Sequence, residues 1–204
     1  YWHMVSKLLL AIQENFFAAR EQGADEAICQ RLADLYYRVR SGIGFNKTPA
    51  EFGAFPTDPY SHTPKHMGAQ QPGMTGQVKE EIVTRLAELG VRVLSGTVQF
   101  DPALLREREF ADDPQAFRYL DVDGQWQALT VPAKGLAFTW CQVPIVYRLD
   151  ESTEPGVTVV REDGEQQSLP GLALPAEAAR HLFARSGRVR RIDLVLNRRQ
   201  LLAG

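Results

Sequence analysis

The segment "TRLAELGVRVLSGTVQF", Thr84 to Phe100, contains the point at which the sequence changes from helical to strand periodicity. Before Gly90, apolar residues recur at the three- and four-residue spacing of an amphipathic helix. After Gly90, "VRVLSGTVQF" is rich in β-branched residues and is typical of a strand. Glycine commonly ends a helix because it adopts the left-handed conformation without strain. We therefore predict helices before Gly90 and strands after it.

Three helices are predicted before Gly90, at about residues 2–21, 26–41 and 76–89. The apolar residues expected to face inward are Trp2, Val5, Leu9, Ile12 and Phe16 in the first helix, Ile28, Leu32, Leu35 and Val39 in the second, and Val78, Ile82, Leu86 and Leu89 in the third. The first helix also has Leu8, Leu10 and Phe17 on its flanks. So broad an apolar surface, in a chain without an initiator methionine, leads us to expect the C-terminal part of a longer polypeptide.

The residues after Gly90 predict short strands and hairpins. Asp123-Gly124 and Asp163-Gly164 are typical of hairpin turns and lie between alternating segments. Residues 136–149 predict one long strand, and a short helix at about 175–186 precedes a last strand through Ile192. The expected fold class is α+β by segregation, with a helical domain at 1–90, interpreted as the end of an (α/α) barrel, and an antiparallel β-sandwich at 91–204.

The composition excludes several classes of partner. The chain has 204 residues, a formal net charge of -2, 44% hydrophobic residues and 24% charged residues. A balance so near neutrality predicts neither nucleic acid nor a membrane surface as a partner. No apolar run is long enough to span a bilayer, and Cys29 and Cys141 are expected to be free thiols. Cytoplasmic localisation is therefore expected, and no cofactor is predicted.

A polar loop, "DPYSHTPKHMGAQQPGMTG" at 58–76, is the main candidate site. Loops this long are often functional. Thr75 is placed as a helix N-cap, and the free N–H groups from Gly76 onward suit an oxygen-rich ligand. The neighbouring polar and aromatic residues expected to contact a sugar or an anion are Asp58, Tyr60, His62, His66, Gln70 and Gln71. His62 and His66 with Asp58 do not match a known metal-ligand spacing, so no metal is predicted.

Two acidic motifs are weighed as catalytic or calcium-binding groups. Glu80 and Glu81 are weak candidates for an acid or a base, but adjacent helical positions point about 100° apart. Glutamate in a first turn also stabilises the helix dipole, and that interpretation is favoured. "DVDGQ" at 121–125 resembles a fragment of a calcium loop, yet it lies between two predicted strands. A hairpin turn is the favoured interpretation.

The order of these segments resembles the C-terminal end of six-hairpin, (α/α)-barrel glycosidases and phosphorylases, in particular inverting enzymes of the cellobiose phosphorylase type. The matching residues are "DPY" at 58–60, "GAQQPG" at 68–73 and "MTG" at 74–76. In that family the Thr-Gly pair contacts phosphate together with a histidine and a glutamine. The resemblance implies this role for Thr75 and Gly76, with His62 or His66 and Gln70 or Gln71. Because the flanking residues differ from the family pattern, attack by water and attack by phosphate both stay open.

The resemblance implies a C-terminal piece of an inverting glycoside hydrolase or phosphorylase. Its partners would be a sugar or oligosaccharide, inorganic phosphate if the reaction is phosphorolysis, and the upstream polypeptide or a homodimer partner. The general acid would lie upstream, so this chain alone is predicted to be inactive. The alternative is a stand-alone β-sandwich that binds a ligand or a partner, with the helices as a lid or dimer interface. Trp126 and Trp140 would then be candidate stacking surfaces.

Overall fold

The segregation of helices and strands is confirmed. The structure, a computed structural model, describes residues 2–43 and 77–202. Helices in the N-terminal part are followed by mostly antiparallel sheets, which is the segregated α+β class. The chain divides into two compact units, Tyr1–Leu86 and Ala87–Gly204. Within the described ranges, no helix has the length and apolar character needed to cross a membrane.

The N-terminal helices are α1 (Trp2–Glu21), α2 (Glu26–Ile43) and α3 (Gln77–Glu88). In α1, Leu9 and Phe16 are buried, as predicted from their spacing. Phe17 is buried as well, whereas Leu8 is 52% exposed. The apolar surface of α1 is therefore only partly covered within the described residues.

The prediction of which residues of α2 and α3 face inward is partly wrong. In α2, Ile28 and Leu35 are exposed, and the buried residues are Ala33, Tyr36, Arg40 and Ile43. These four buried residues also have helical spacing. Because this face of the helix buries the large ring of Tyr36, it packs inward in place of the predicted aliphatic face. In α3, Ile82 is 56% exposed while Thr84 is buried. The Thr84 carbonyl oxygen accepts a hydrogen bond from Gln13 Nε2 of α1 at 2.8 Å. This buried bond holds the side of α3 that carries Thr84 against α1.

Nine strands and one further α-helix follow in the described C-terminal part, together with two short 3-10 helices, Glu107–Glu109 and Arg198–Gln200. The strands and the α-helix are β1 (Val91–Leu94), β2 (Thr97–Phe100), β3 (Gln115–Leu120), β4 (Trp126–Val131), β5 (Gly135–Trp140), β6 (Val143–Leu149), β7 (Gly156–Arg161), β8 (Gln166–Pro170), α4 (Ala176–Phe183) and β9 (Val189–Leu196). Strands β5-β6-β9-β7-β8 form one sheet, while β1-β2 and β3-β4 are separate hairpins. Within the five-stranded sheet, β6 and β9 are parallel and the other neighbours are antiparallel.

Two segments predicted as single strands are hairpins instead. Residues 91–100 turn at Ser95 and Gly96, which have φ of 51° and 77°. Residues 136–149 turn at Cys141 and Gln142, with φ of 51° and 64°. Two successive residues with positive φ match the twist of a tight hairpin, so these turns form although Cys141-Gln142 has no glycine. The predicted turns at Asp123-Gly124 and Asp163-Gly164 are confirmed.

The core of the β-rich unit is centred on Tyr147 of β6. Its ring meets Phe100 and Phe138 edge to face, at centroid distances of 6.1 Å and 5.4 Å. Its hydroxyl donates to the carbonyl oxygen of Leu89 at 2.6 Å, just after α3 ends. Complete burial raises the pKa of Tyr147 well above its usual value, so the phenol stays a hydrogen-bond donor. This bond ties the segment preceding β1 to the sheet.

Candidate functional site

The whole of the predicted binding loop, residues 58–76, lies outside the described residues. This applies to Asp58, Tyr60, His62, His66, Gln70, Gln71, Thr75 and Gly76. Their proposed contacts with sugar or phosphate therefore stay predictions. The two weak catalytic candidates, Glu80 and Glu81, belong to the described part of α3.

Glu80 and Glu81 have different surroundings although they are neighbours in α3. The Oε2 atom of Glu80 is inaccessible to solvent and has no hydrogen-bond partner within the described part of the chain. Burial raises the pKa of Glu81, and the charge of Arg40 in α2 opposes that shift. Arg40 is itself buried and donates to the Tyr36 hydroxyl at 3.3 Å. The geometry thus gives two separately placed carboxyl groups and not a facing acid and base.

A polar cleft lies in the β-rich unit, at the turn between β3 and β4. Its volume is about 380 Å³. We call it the Arg190 cleft, and its lining residues are Tyr119, Asp121, Val122, Asp123, Gln125, Gln127, Gln142, Val143, Val189 and Arg190. They come from the β3–β4 hairpin, the β5–β6 turn and the start of β9. The tight turns bring polar side chains from three separate parts of the chain to one place.

Asp121 organises the turn at the Arg190 cleft. Its Oδ1 accepts the N–H groups of Asp123 and Gln125 at 3.0 Å and 2.8 Å, and its Oδ2 accepts Gln127 Nε2 at 2.9 Å. The backbone bond from Gln125 is the main reason that the pKa of Asp121 is lowered. Because these three donors occupy the carboxylate of Asp121, its role is to stabilise the turn. The favoured interpretation of "DVDGQ" as a hairpin turn is confirmed.

Gln142 reaches the Arg190 cleft because of the unusual β5–β6 turn. The left-handed conformation at positions 141 and 142 directs the chain back sharply, and Gln142 Nε2 donates to the carbonyl oxygen of Asp121 at 3.0 Å. The amides of Gln127 and Gln142 are thus both oriented by Asp121. An amide that uses one N–H in this way still has a second N–H and a carbonyl oxygen.

Two of the residues that line the Arg190 cleft, Asp123 and Arg190, form an ion pair. Arg190 is the extra residue of a β-bulge, since Val160 faces Arg191 whereas Arg161 faces Val189. Bulges re-aim side chains, and here the guanidinium donates to Asp123 Oδ2 at 2.9 Å. This hydrogen bond raises the pKa of Arg190. Both side chains are largely solvent-exposed, so the pair contributes little to stability. It does provide charged donors and acceptors at the cleft.

Tyr119 adds an aromatic ring and a hydroxyl group to the lining. Its ring stacks on Phe117 at a centroid distance of 6.0 Å and an interplanar angle of 16°. Burial and, next, the charge of Asp121 raise its pKa. The phenol is therefore protonated at neutral pH and can donate a hydrogen bond.

A smaller cavity of about 230 Å³ lies in the same unit. We call it the Asp193 cavity, and its lining residues are Leu129, Thr130, Pro132, Val146, Arg191 and Asp193. Arg191 Nε donates to Asp193 Oδ2 at 2.9 Å. Burial raises the pKa of Asp193, and Arg191 partly offsets that effect. The cavity combines an apolar wall with one charged pair.

The two candidate stacking tryptophans differ in exposure. Trp126 is 67% exposed, and the Arg118 guanidinium lies over its ring at 5.5 Å. Trp140 is half-buried and meets Phe183 of α4 edge to face at 5.5 Å. Only Trp126 therefore offers a broad face to solvent, and it does not line either cavity.

The sequence interpretation missed Tyr119, Gln127, Gln142 and Arg190 as site residues. The Asp123-Gly124 turn predicts a hairpin, but it predicts neither the register that pairs Tyr119 with Gln127 nor a cleft beside them. Among the described residues, no group of three His, Cys, Asp or Glu side chains could hold a metal ion. Neither a comparison with models of known protein families nor one with curated proteins finds a match to this chain.

Proposed function

We propose that the β-rich unit binds a carbohydrate in the Arg190 cleft, and that the chain is part of a cytoplasmic carbohydrate-active enzyme. One observation carries the first half of this proposal. The cleft holds oriented amide groups, a phenol and an ion pair around a volume of about 380 Å³. Ligand pockets of about 300–1,000 Å³ commonly take one small molecule through a few well-placed polar groups.

The hydrogen-bonding groups of the cleft suit hydroxyl groups. A sugar hydroxyl both donates and accepts, and a glutamine amide likewise offers both functions. Gln127 and Gln142 are held in place by Asp121, so little side-chain entropy is lost when they bind a ligand. The ring of Tyr119 adds an apolar surface for the C–H face of a sugar.

The charges of the cleft favour a neutral ligand. The charged lining residues are two carboxylates, Asp121 and Asp123, and one guanidinium, Arg190. A phosphorylated or otherwise anionic ligand would meet net negative charge there. Binding of inorganic phosphate, if the enzyme is a phosphorylase, is therefore assigned to the loop that contains Thr75 and Gly76 and not to this cleft.

The enzymatic half of the proposal rests on the resemblance of the segment order and of the "MTG" motif to inverting glycosidases and phosphorylases. The helical unit would be the end of an (α/α) barrel, and the general acid would come from upstream polypeptide. The chemistry would be attack by water or phosphate at an anomeric carbon. The alternative is a stand-alone binding protein. The exposed ring of Trp126 is the observation that supports it, because an exposed aromatic face suits contact with a protein partner or a second copy.

Titration calorimetry on the 204-residue chain tests the binding proposal, with glucose, cellobiose and maltose as probes. We expect one of the disaccharides to bind and Gln127→Ala, which removes one of the two oriented amides, to weaken that binding about 3- to 10-fold, the cost of one hydrogen bond. Gln166→Ala is the matched control, because Gln166 is an exposed glutamine of β8 that does not line the cleft. Equal loss in both variants, or no binding of any probe, would contradict the proposal.

A further inference from the structure

The two cavities follow one another along the same strands. On β4, Gln127 lines the Arg190 cleft and Leu129 lines the Asp193 cavity. On β9, Arg190 lines the first and Arg191 lines the second. A strand advances about 3.3 Å per residue, so the step from Gln127 to Leu129 is about 7 Å. The cavities are therefore adjacent along the direction of β4 and β9.

Tyr119 lines the Arg190 cleft and lies near the charged groups of both cavities. The charges of Asp121 and Arg190 in the first cavity and of Arg191 in the second all act on its hydroxyl. Tyr119 also pairs with Gln127 across the hairpin, while Phe117 pairs with Leu129 at the second cavity. The stacked rings of Phe117 and Tyr119 thus follow one another along β3, opposite the residues of β4 that line the two cavities.

We infer that the two cavities are neighbouring subsites of one groove that binds a linear oligosaccharide along β9. This inference rests on the proposed function and specifies its substrate class. The β3–β4 hairpin forms one wall of the groove, and β6 and β9 form the other. One sugar unit binds the amides and the ion pair of the Arg190 cleft. The next unit lies in the Asp193 cavity.

The Asp193 cavity has the composition that a second sugar unit requires. Leu129 and Val146 supply an apolar surface for a ring face. The Arg191–Asp193 pair supplies donors and an acceptor for hydroxyl groups at a half-buried position, where hydrogen bonds to charged groups are strong. At about 230 Å³ the cavity is smaller than a typical stand-alone ligand pocket. It therefore acts together with its neighbour.

Titration calorimetry with oligosaccharides of increasing length tests the groove. The probes are glucose and the cello- and malto-oligosaccharides of two to five units, added to the 204-residue chain. In one of the two series, we expect the disaccharide to bind about 10-fold more tightly than glucose, because its second unit makes further charge-assisted hydrogen bonds in the Asp193 cavity. Thr130→Trp, which fills the Asp193 cavity from an exposed position, removes this gain and leaves glucose binding in the Arg190 cleft unchanged.

Ala128→Trp is the matched control, since Ala128 is an exposed residue of the same strand that lines neither cavity. Asp193→Asn is a second, isosteric variant that weakens disaccharide binding relative to glucose binding without filling the cavity. The groove is ruled out if the affinity does not change with chain length, or if Thr130→Trp lowers the affinity equally for short and long ligands. Either result would leave sugar binding in the Arg190 cleft as the remaining proposal. Absence of binding at every length overturns the proposed function as well.

Discussion

Asp121 shows how one side chain links a local turn to the candidate site. Its carboxylate accepts two backbone N–H groups of the turn, and it also orients the amide of Gln127. Its own carbonyl oxygen holds Gln142. Asp121 thus stabilises the hairpin turn that Asp123-Gly124 predicts, and it also orients the two glutamine amides of the Arg190 cleft.

Tyr147 provides a test of a buried hydrogen bond. Tyr147→Phe keeps the ring and its edge-to-face contacts but removes the donor to the Leu89 carbonyl oxygen. A buried acceptor left without its partner costs about 1–3 kcal/mol, so we expect the free energy of unfolding to fall by that amount. Urea denaturation measures it. Tyr119→Phe, at a partly exposed tyrosine, is the control and should change the unfolding free energy far less.

Asp150 provides a test by pH. Its carboxylate accepts the Ser152 N–H at 2.9 Å and the Ser152 and Thr153 hydroxyl groups at 2.6 Å and 2.9 Å. These bonds lower its pKa from 3.8 to about 2. Because the folded-state pKa is depressed, the stabilisation is present above the unfolded-state value of 3.8 and is lost as the pH falls through about 2.

Asp150→Asn should accordingly be less stable than the native chain at pH 7, and this difference should shrink between about pH 4 and pH 2. Urea unfolding midpoints at pH 7, 4, 3 and 2 measure the change. Glu154→Gln, which removes one exposed carboxylate nearby, serves as the control. A stability difference that is the same at all four pH values would contradict the assigned role of the carboxylate.

At the scale of elements, Gly90 is the junction between α3 and β1. It has φ of +89°, and a Cβ atom there would lie 2.6 Å from the backbone nitrogen of Pro102. Its carbonyl oxygen also accepts the Asp101 N–H at 2.7 Å. The glycine that marks the change of period in the sequence is thus required both for its conformation and for close backbone packing.

Gly90→Ala should therefore lower the free energy of unfolding by about 2 kcal/mol or more, since strain and overpacking add. Gly96→Ala is the matched control, because Gly96 also has a positive φ of 77° but nothing lies within 4 Å of its would-be Cβ. Only the conformational cost, about 1 kcal/mol, is expected there. Chemical denaturation of both variants gives the comparison, and equal losses would show that packing at Gly90 has no effect.

The elements that the sequence predicts well are those with explicit local signals. Asp123-Gly124 and Asp163-Gly164 specify their hairpins, and Gly90 specifies the end of α3. The turn at Cys141-Gln142 could not be recognised, because neither residue is typical of positive φ. The parallel pairing of β6 with β9 and the bulge at Arg190 depend on long-range contacts. Since those features assemble the Arg190 cleft, the cleft could not be predicted from local patterns.

At the scale of the whole molecule, the predicted chemistry and the described geometry concern different units. The predicted catalytic candidates Glu80 and Glu81 belong to the helical unit, and the Arg190 cleft belongs to the β-rich unit. Inverting glycosidases need two carboxyl groups about 6.5–9.5 Å apart on opposite sides of the scissile bond. Adjacent residues of one helix do not provide that arrangement.

We therefore expect the 204-residue chain to bind an oligosaccharide without cleaving it. Incubation with cellopentaose and with maltopentaose, each with and without inorganic phosphate, should release neither glucose nor glucose 1-phosphate in coupled enzymatic assays. Calorimetry on the same preparation confirms that the chain is folded and binds sugar. Turnover that disappears in Glu81→Gln but persists in Glu154→Gln would contradict this expectation. It would instead identify the half-buried Glu81, whose pKa is raised by burial and whose charge interacts with Arg40, as the proton donor in the helical unit.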